Sequence, residues 1–288
     1  MDLSVYLERI RSSVPNIDFS QASLIDEGMQ FAVVIADGWV FRFARDEWAI
    51  QSLGNEARVL ELLRSRVRLT IPQFEYLELD WCAYRFLPGA PLTFQAWQRF
   101  DRAGQVRIMR QLGEFIRELH GTPTQGQHLA QSGAARTRED WLAFYRNLEQ
   151  ELFPKLMRFQ REAATALFAP VLEDRLSFDH APTLVDGDIS VYHLLHDPDT
   201  RALTAKIDFG ITGVGDPAVD LACVLMNYGE RGAAHVLKVY PEAHAFLERA
   251  RFWAGTLEWQ WAYYGLKRTP ESLLWAHLGT ARDLRLPL

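Results

Sequence analysis

The feature that most restricts the fold is a change of hydrophobic period partway along the chain. Residues 22–44, ASLIDEGMQFAVVIADGWVFRFA, read as strand, turn, strand, tight Asp37-Gly38 turn, strand. A short helix precedes them, with Leu3, Tyr6, Leu7 and Ile10 at helical spacing and Pro15 ending it. FEYLELDWCAYRFLPG, residues 74–89, gives two more strands that run into Pro88-Gly89. Beyond that point the period is helical: Val106, Met109, Leu112, Ile116 and Leu119 share one face before His120-Gly121, and after a polar stretch over 121–138 the helical pattern returns at Trp141. Strands gathered at one end and helices at the other predict an α+β chain, and 288 residues are long enough for two domains of unequal size.

LVDGDISVYHLLHDPDTRALTAKIDFG, residues 184–210, interrupts the helical part and gathers Asp186, Asp188, His193 and Asp208. Leu194-Leu195 and Leu203 to Ile207 read as the arms of a hairpin around an Asp-Pro-Asp-Thr turn, in which Asp197 and Asp199 are solvated turn acids. Asp188 and Asp208 differ from these because each stands at the end of an apolar run. A carboxylate buried there costs several kcal/mol unless it is paired, hydrogen-bonded or bound to a cation. Two oxygen anions and an imidazole without a cysteine cluster suit a hard cation such as magnesium held together with phosphate oxygens.

VDGDISVYHLL, followed by KIDFG and GDPAVDLA, resembles the catalytic signature of the aminoglycoside phosphotransferase family, whose protein-kinase-like fold implies a bilobal chain with a small antiparallel-sheet nucleotide-binding lobe over 1–87 and a larger, mainly helical catalytic and substrate-binding lobe over 88–288. His193 in place of the more usual Asn makes the resemblance nearest to the aminoglycoside 2″-phosphotransferase and macrolide phosphotransferase branches. The resemblance implies that Asp188 orients and deprotonates an acceptor hydroxyl, and that His193 and Asp208 hold magnesium on the nucleotide phosphates. It implies that Asp220 supports the catalytic loop from the following helix. Asp186 stands where the family has His, so it must find another partner or remain partly exposed. In the small lobe, the turn around Gly28 would cover the phosphates, Arg42 would take the place of the strand lysine with Glu56 as its ion-pair partner, and Tyr84, Arg85 and Phe86 would form the hinge that meets the purine. On the acceptor side the resemblance points to Ser190 and Glu230.

The activity so implied is transfer of the γ-phosphate of ATP or GTP to a hydroxyl of an aminoglycoside-like or macrolide-like antibiotic or a related metabolite. The alternative is a nucleotide-binding pseudokinase without efficient transfer, raised by Asp186, by Arg42 and by a phosphate-side turn with a single glycine. A metal-dependent hydrolase fits less well, since no separate nucleophile and base can be placed. Residues 211–288 hold eight Asp or Glu and eight Lys or Arg, so no acidic excess marks a polycation site, and the aromatic residues Trp253, Trp259, Trp261, Tyr263, Tyr264 and Trp275 read first as core.

Composition agrees with a two-lobed enzyme. The 288 residues are 48% hydrophobic, enough to fill two cores. A net charge of −6 argues against a nucleic-acid partner held by phosphate attraction. Cys82 and Cys223 are far apart and lack metal-ligand spacing. The charged first dozen residues do not read as a signal peptide, and no apolar run approaches the roughly 20 residues that span a bilayer. The expectation is a cytoplasmic monomer without membrane contact.

Overall fold

The computed structural model describes residues 2–26, 30–133 and 136–268. In the small lobe, α1 (Leu3–Ser13) leads into β1 (Ser23–Ile25), β2 (Phe31–Ala36), β3 (Trp39–Ala44), α2 (Glu47–Leu63), β4 (Tyr76–Leu77) and β5 (Trp81–Arg85). The five strands form one antiparallel sheet in the order β1-β2-β3-β5-β4. The β2–β3 turn is made by Asp37 and Gly38, both at positive φ (50° and 72°), the geometry whose twist matches two paired strands. β3 alternates in character, yet it is buried along both faces, because each face has its own cover. Trp39, Phe41 and Phe43 pack with Tyr6 and Ile10 of α1, while Val40 packs with Phe31, Leu53 of α2 and Tyr84. Arg42 shares that second face, and so a cation lies inside the lobe.

The larger lobe comprises β6 (Ala90–Pro91), α3 (Phe94–Arg99), α4 (Arg102–His120), α5 (Arg138–Asn147), α6 (Arg158–Leu172), β7 (Thr183–Val185), β8 (Leu194–Asp197), β9 (Ala202–Lys206), β10 (Gly213–Gly215), α7 (Ala218–Leu237) and α8 (Leu247–Arg268). α4 is the central helix: Ile108, Met109, Leu112, Ile116 and Leu119 are buried, whereas Val106 sits half-buried at the edge of the stripe. Asp101 caps its start by accepting the Gly104 N–H at 2.8 Å. Trp141 anchors the aromatic half of the core, edge-on to Trp253 at 4.7 Å. Trp253 and Trp259 are buried and the core reading holds for them, Tyr263 and Tyr264 are half-buried, and Trp261 is exposed, which corrects that reading; Trp275 lies outside the described residues. Two features had no signal in the hydrophobic period: a π-helical turn (Leu148–Leu152) after α5, and a break in α7 at Gly229, where φ is 67°.

Two small sheets, β6-β8-β9 and β10-β7, lie among these helices and carry the acidic segment. The β8–β9 hairpin is the one read from the sequence, and Asp197 closes its turn by accepting the N–H groups of Asp199 and Thr200. The lobes meet through the main chain as well, since Lys206 N–H donates to Thr70 O at 3.0 Å. No helix among the described residues is long and apolar enough to cross a membrane.

Candidate active site

The Asp186-Gly187-Asp188 turn leaves β7 at Val185. Gly187 takes φ +78°, where a side chain is strained, and this sharp reversal turns Asp188 toward solvent. Asp220, in the first turn of α7, accepts the N–H of Asp186 at 3.0 Å and of Gly187 at 2.8 Å. His120 backs Asp220 with Nε2 at 2.9 Å, and its Nδ1 meets the Tyr240 hydroxyl at 3.1 Å, so this helix-end histidine is a prop and not a ligand. Asn227 on α7 donates to Ile189 O at 2.8 Å and holds the far side of the loop.

The β8–β9 hairpin then delivers His193 and Asp208 to the same place. His193 Nδ1 lies 3.4 Å from Asp188 Oδ2, and its Nε2 lies 3.7 Å from Asp208 Oδ2. The side chain of Asp188 is 44% exposed and that of Asp208 33%, so both carboxylates reach solvent. Asp208 adopts φ 66°, a left-handed conformation that costs a residue with a side chain roughly 1–2 kcal/mol. Burial pushes its carboxyl up, but the charges of Arg42, His193 and Lys206 outweigh burial and hold it below the usual carboxylate range.

Behind this cluster stands the expected ion pair. Arg42 Nη1 lies 2.9 and 2.8 Å from the two carboxylate oxygens of Glu56, with its Nη2 3.8 Å from Asp208. Burial works against the guanidinium, and Glu56 and Asp208 more than offset it, raising its pKa above the ordinary arginine value. Glu56 also accepts the Phe209 N–H at 3.1 Å. One residue earlier, Asn55 donates to Gly210 O and Thr212 O, while its own carbonyl accepts the Ala130 N–H. Gly210 permits this close approach of α2, because a Cβ there would fall 2.2 Å from Ser52 Oγ.

Asp186, which needed a partner, has one that the sequence reading missed. Lys206, the last residue of β9, places Nζ 2.8 Å from Asp186 Oδ2; the lysine is 0% exposed and the aspartate 1%. Burial pushes the Asp186 carboxyl up to about 6, with Lys206 opposing the shift. Burial alone would lower the Lys206 ammonium, and Asp186 outweighs it and holds it above the ordinary lysine value. The signal was a single lysine closing the apolar run ALTAKI, which pairs naturally with an acid on a neighbouring apolar strand end.

The remaining expected residues divide. Tyr84 is buried on the Arg42 face of the sheet, its ring 5.9 Å from Phe74. Arg85 points to the opposite face, its guanidinium 3.8 Å over Trp39. Phe86 is half exposed, and its N–H donates to Gly38 O at 2.8 Å, so the β3–β5 ladder continues one step further and uses this donor. Ser190 lies inside the catalytic turn, its Oγ accepting the Tyr192 N–H at 3.3 Å. Glu230 is bound by Arg251 of α8 at 2.7 and 3.0 Å, so its charge is already matched. Gly28 lies outside the described residues.

No group of three or more His, Cys, Asp or Glu among the described residues forms a metal cage by itself. The donor set at Asp208 and His193 instead fits a magnesium ion that keeps waters and shares phosphate oxygens, since that ion takes only one or two protein ligands in nucleotide sites.

The chain matches the family described as "Phosphotransferase enzyme family" over residues 22–254. It is 28% identical to viomycin phosphotransferase of Streptomyces vinaceus over 265 residues, covering 87% of this chain and 89% of that one. Among solved structures, it resembles the GDP complex of wild-type aminoglycoside 2'-phosphotransferase-IIIa with a TM-score of 0.88 at 24% identity, over 97% of both chains. Macrolide 2'-phosphotransferase MphH from Brachybacterium faecium superposes with a TM-score of 0.75 at 19% identity, covering 98% of this chain and 99% of that chain. The fold is the bilobal protein-kinase-like fold expected from the sequence.

Proposed function

The chain belongs to the phosphotransferase enzyme family, and on that premise we propose that it transfers the γ-phosphate of ATP or GTP to a hydroxyl of an aminoglycoside-like or macrolide-like antibiotic or a related metabolite. The observation that carries this reading is the convergence of Asp188, His193 and Asp208 in one solvent-accessible cluster, with the Arg42–Glu56 pair behind them. Asp188 accepts the hydroxyl proton as the acceptor oxygen forms its bond to the γ-phosphorus and the bond to the β-phosphate oxygen breaks. His193 and Asp208 would hold magnesium, which supplies neutralisation of phosphate charge when bound. Arg42 faces the phosphates while Glu56 keeps it extended, and Asp220 holds the turn that aims Asp188.

The purine would lie against the hinge, Tyr84 to Phe86, beneath the turn that contains Gly28, with the lobes dividing after Leu87. Ser190 and Glu230 would face the acceptor; a cationic acceptor would have to compete with Arg251 for Glu230. The enzyme would work as a cytoplasmic monomer with no nucleic-acid partner. The pseudokinase alternative drew on Asp186 and Arg42, and both have the buried partners that an ordered site needs.

Incubation with γ-labelled ATP or GTP and a panel of aminoglycosides, macrolides and viomycin-like peptides tests the proposal. Label in an antibiotic supports it; nucleotide binding without transfer to any acceptor favours the pseudokinase.

A further inference from the structure

Two turns form the cluster: one leaves β7, and the other joins β9 to β10, the strand that pairs with β7. The Asp188 turn follows β7, which pairs with β10, and the Asp208 turn follows β9, which pairs with β8. Main-chain pairing ties the two turns at their ends, at the Val185–Gly213 register and from Ile207 N–H to His193 O at 2.9 Å, but among the described residues no main-chain bond joins Asp188 to Asp208 themselves. The buried pair spans this gap. Asp186 Oδ1 accepts the N–H of Asp188 at 3.0 Å, while the other carboxylate oxygen meets Lys206. Lys206 Nζ in turn donates to Asp208 O at 2.5 Å and lies 4.4 Å over the Phe209 ring. A single ammonium thus holds a carboxylate from one turn, and a carbonyl and a ring face from the other.

We infer that Asp186 and Lys206 are positioning residues that set the Asp188 turn and the Asp208 turn in register with each other, a role that rests on the phosphotransferase reading above. Stability alone does not account for the pair, because well-packed apolar residues of similar volume often replace a buried ion pair without loss. An apolar pair cannot accept the Asp188 N–H or donate to Asp208 O. Those two bonds bear on the reacting geometry: the first orients the residue that takes the hydroxyl proton, and the second fixes the left-handed backbone from which the Asp208 carboxylate projects.

The test compares wild type with the double variant Asp186→Leu/Lys206→Met, which removes both charges together, and with Lys206→Met alone. In the absence of nucleotide and metal, amide hydrogen exchange over residues 186–193 and 207–212 is expected to quicken in both variants by about tenfold or more, with exchange in α4 unchanged. With labelled nucleotide, kcat is expected to fall on the order of 10²-fold while KM for nucleotide stays within about threefold, because displacement of a reacting group by about an ångström has that scale of effect. A purely structural pair predicts the opposite for the double variant, full turnover once it is folded. Turnover within about threefold of wild type, or unchanged exchange in both segments of the folded double variant, overturns the inference alone. A wild type that transfers no label to any hydroxyl, water included, overturns the phosphotransferase reading and the inference with it.

Discussion

Arg42 and Glu56 meet inside the small lobe with neither side chain reaching solvent to a useful extent, and the guanidinium nitrogen touches both carboxylate oxygens within 2.9 Å. Removing one member leaves the other charged and buried, so Arg42→Met is expected to lower stability by about 3–5 kcal/mol in urea unfolding. The variant Arg42→Met/Glu56→Leu should recover most of that loss without recovering nucleotide affinity. Wild-type affinity in the double variant would remove Arg42 from the phosphate site.

Asp188→Asn keeps the shape of the side chain and deletes the acceptor for the hydroxyl proton. Turnover is expected to fall by about 10²–10⁴-fold with nucleotide affinity nearly unchanged, as measured by label transfer and fluorescent-nucleotide titration. Full turnover in this variant would assign the proton to another group.

His193→Ala and Asp208→Ala should each weaken nucleotide binding in magnesium and leave binding in a chelator unaltered, since each removes a ligand from the cation and none from the nucleotide. Equal affinity with and without magnesium in the wild type would mean that no such metal site exists.

The purine is expected to be read at the hinge, with GTP supporting transfer at least comparably to ATP. Tyr84→Ala should shift the ratio between the two, because Tyr84 lies on the Arg42 face of the sheet, whereas Phe86→Ala should shift it less from its half-exposed place. Competition of each nucleotide against one fluorescent analogue measures both ratios. Strict ATP selectivity unaltered by Tyr84→Ala counts against this assignment.

Asp101 gives a pH signature unrelated to the cluster. The Gly104 N–H, together with Arg201, holds its carboxyl below the ordinary value of 3.8. A carboxyl with a lowered folded-state pKa stabilises fully above its unfolded value, and that contribution fades as pH falls through the folded value. Asp101→Ala should therefore unfold at lower temperature than wild type at pH 7, with the gap narrowing below about pH 4. A gap independent of pH would mean that the cap does not act through its charge.

The local patterns that made the fold legible were the ones governed by neighbours in sequence. The Asp37-Gly38 turn, the β8–β9 hairpin and the apolar stripe of α4 each depend on spacing within a few residues, and each stands where the sequence placed it. Asp188 and Asp208 were legible because carboxylates at the ends of apolar runs demand an explanation, and His193 through the resemblance carried by its spacing from Asp188. Lys206 and Asn55 were not, since their partners lie at a distance: Asn55 reaches carbonyls 155 and 157 residues away. The commitment of the Phe86 N–H depended on one further step of strand pairing, which side-chain patterns do not report.

Asn55 also bears on how such an enzyme can be controlled. To swing outward, α2 would have to give up the Asn55 bonds to Gly210, Thr212 and Ala130, the Glu56 bond to Phe209 and the contact with Arg42, all at once and in a buried place. Folds of this kind that signal are often silenced by moving the corresponding helix. Here those buried bonds tie α2 to the segment that carries Asp208, so a shift of one would carry the other with it.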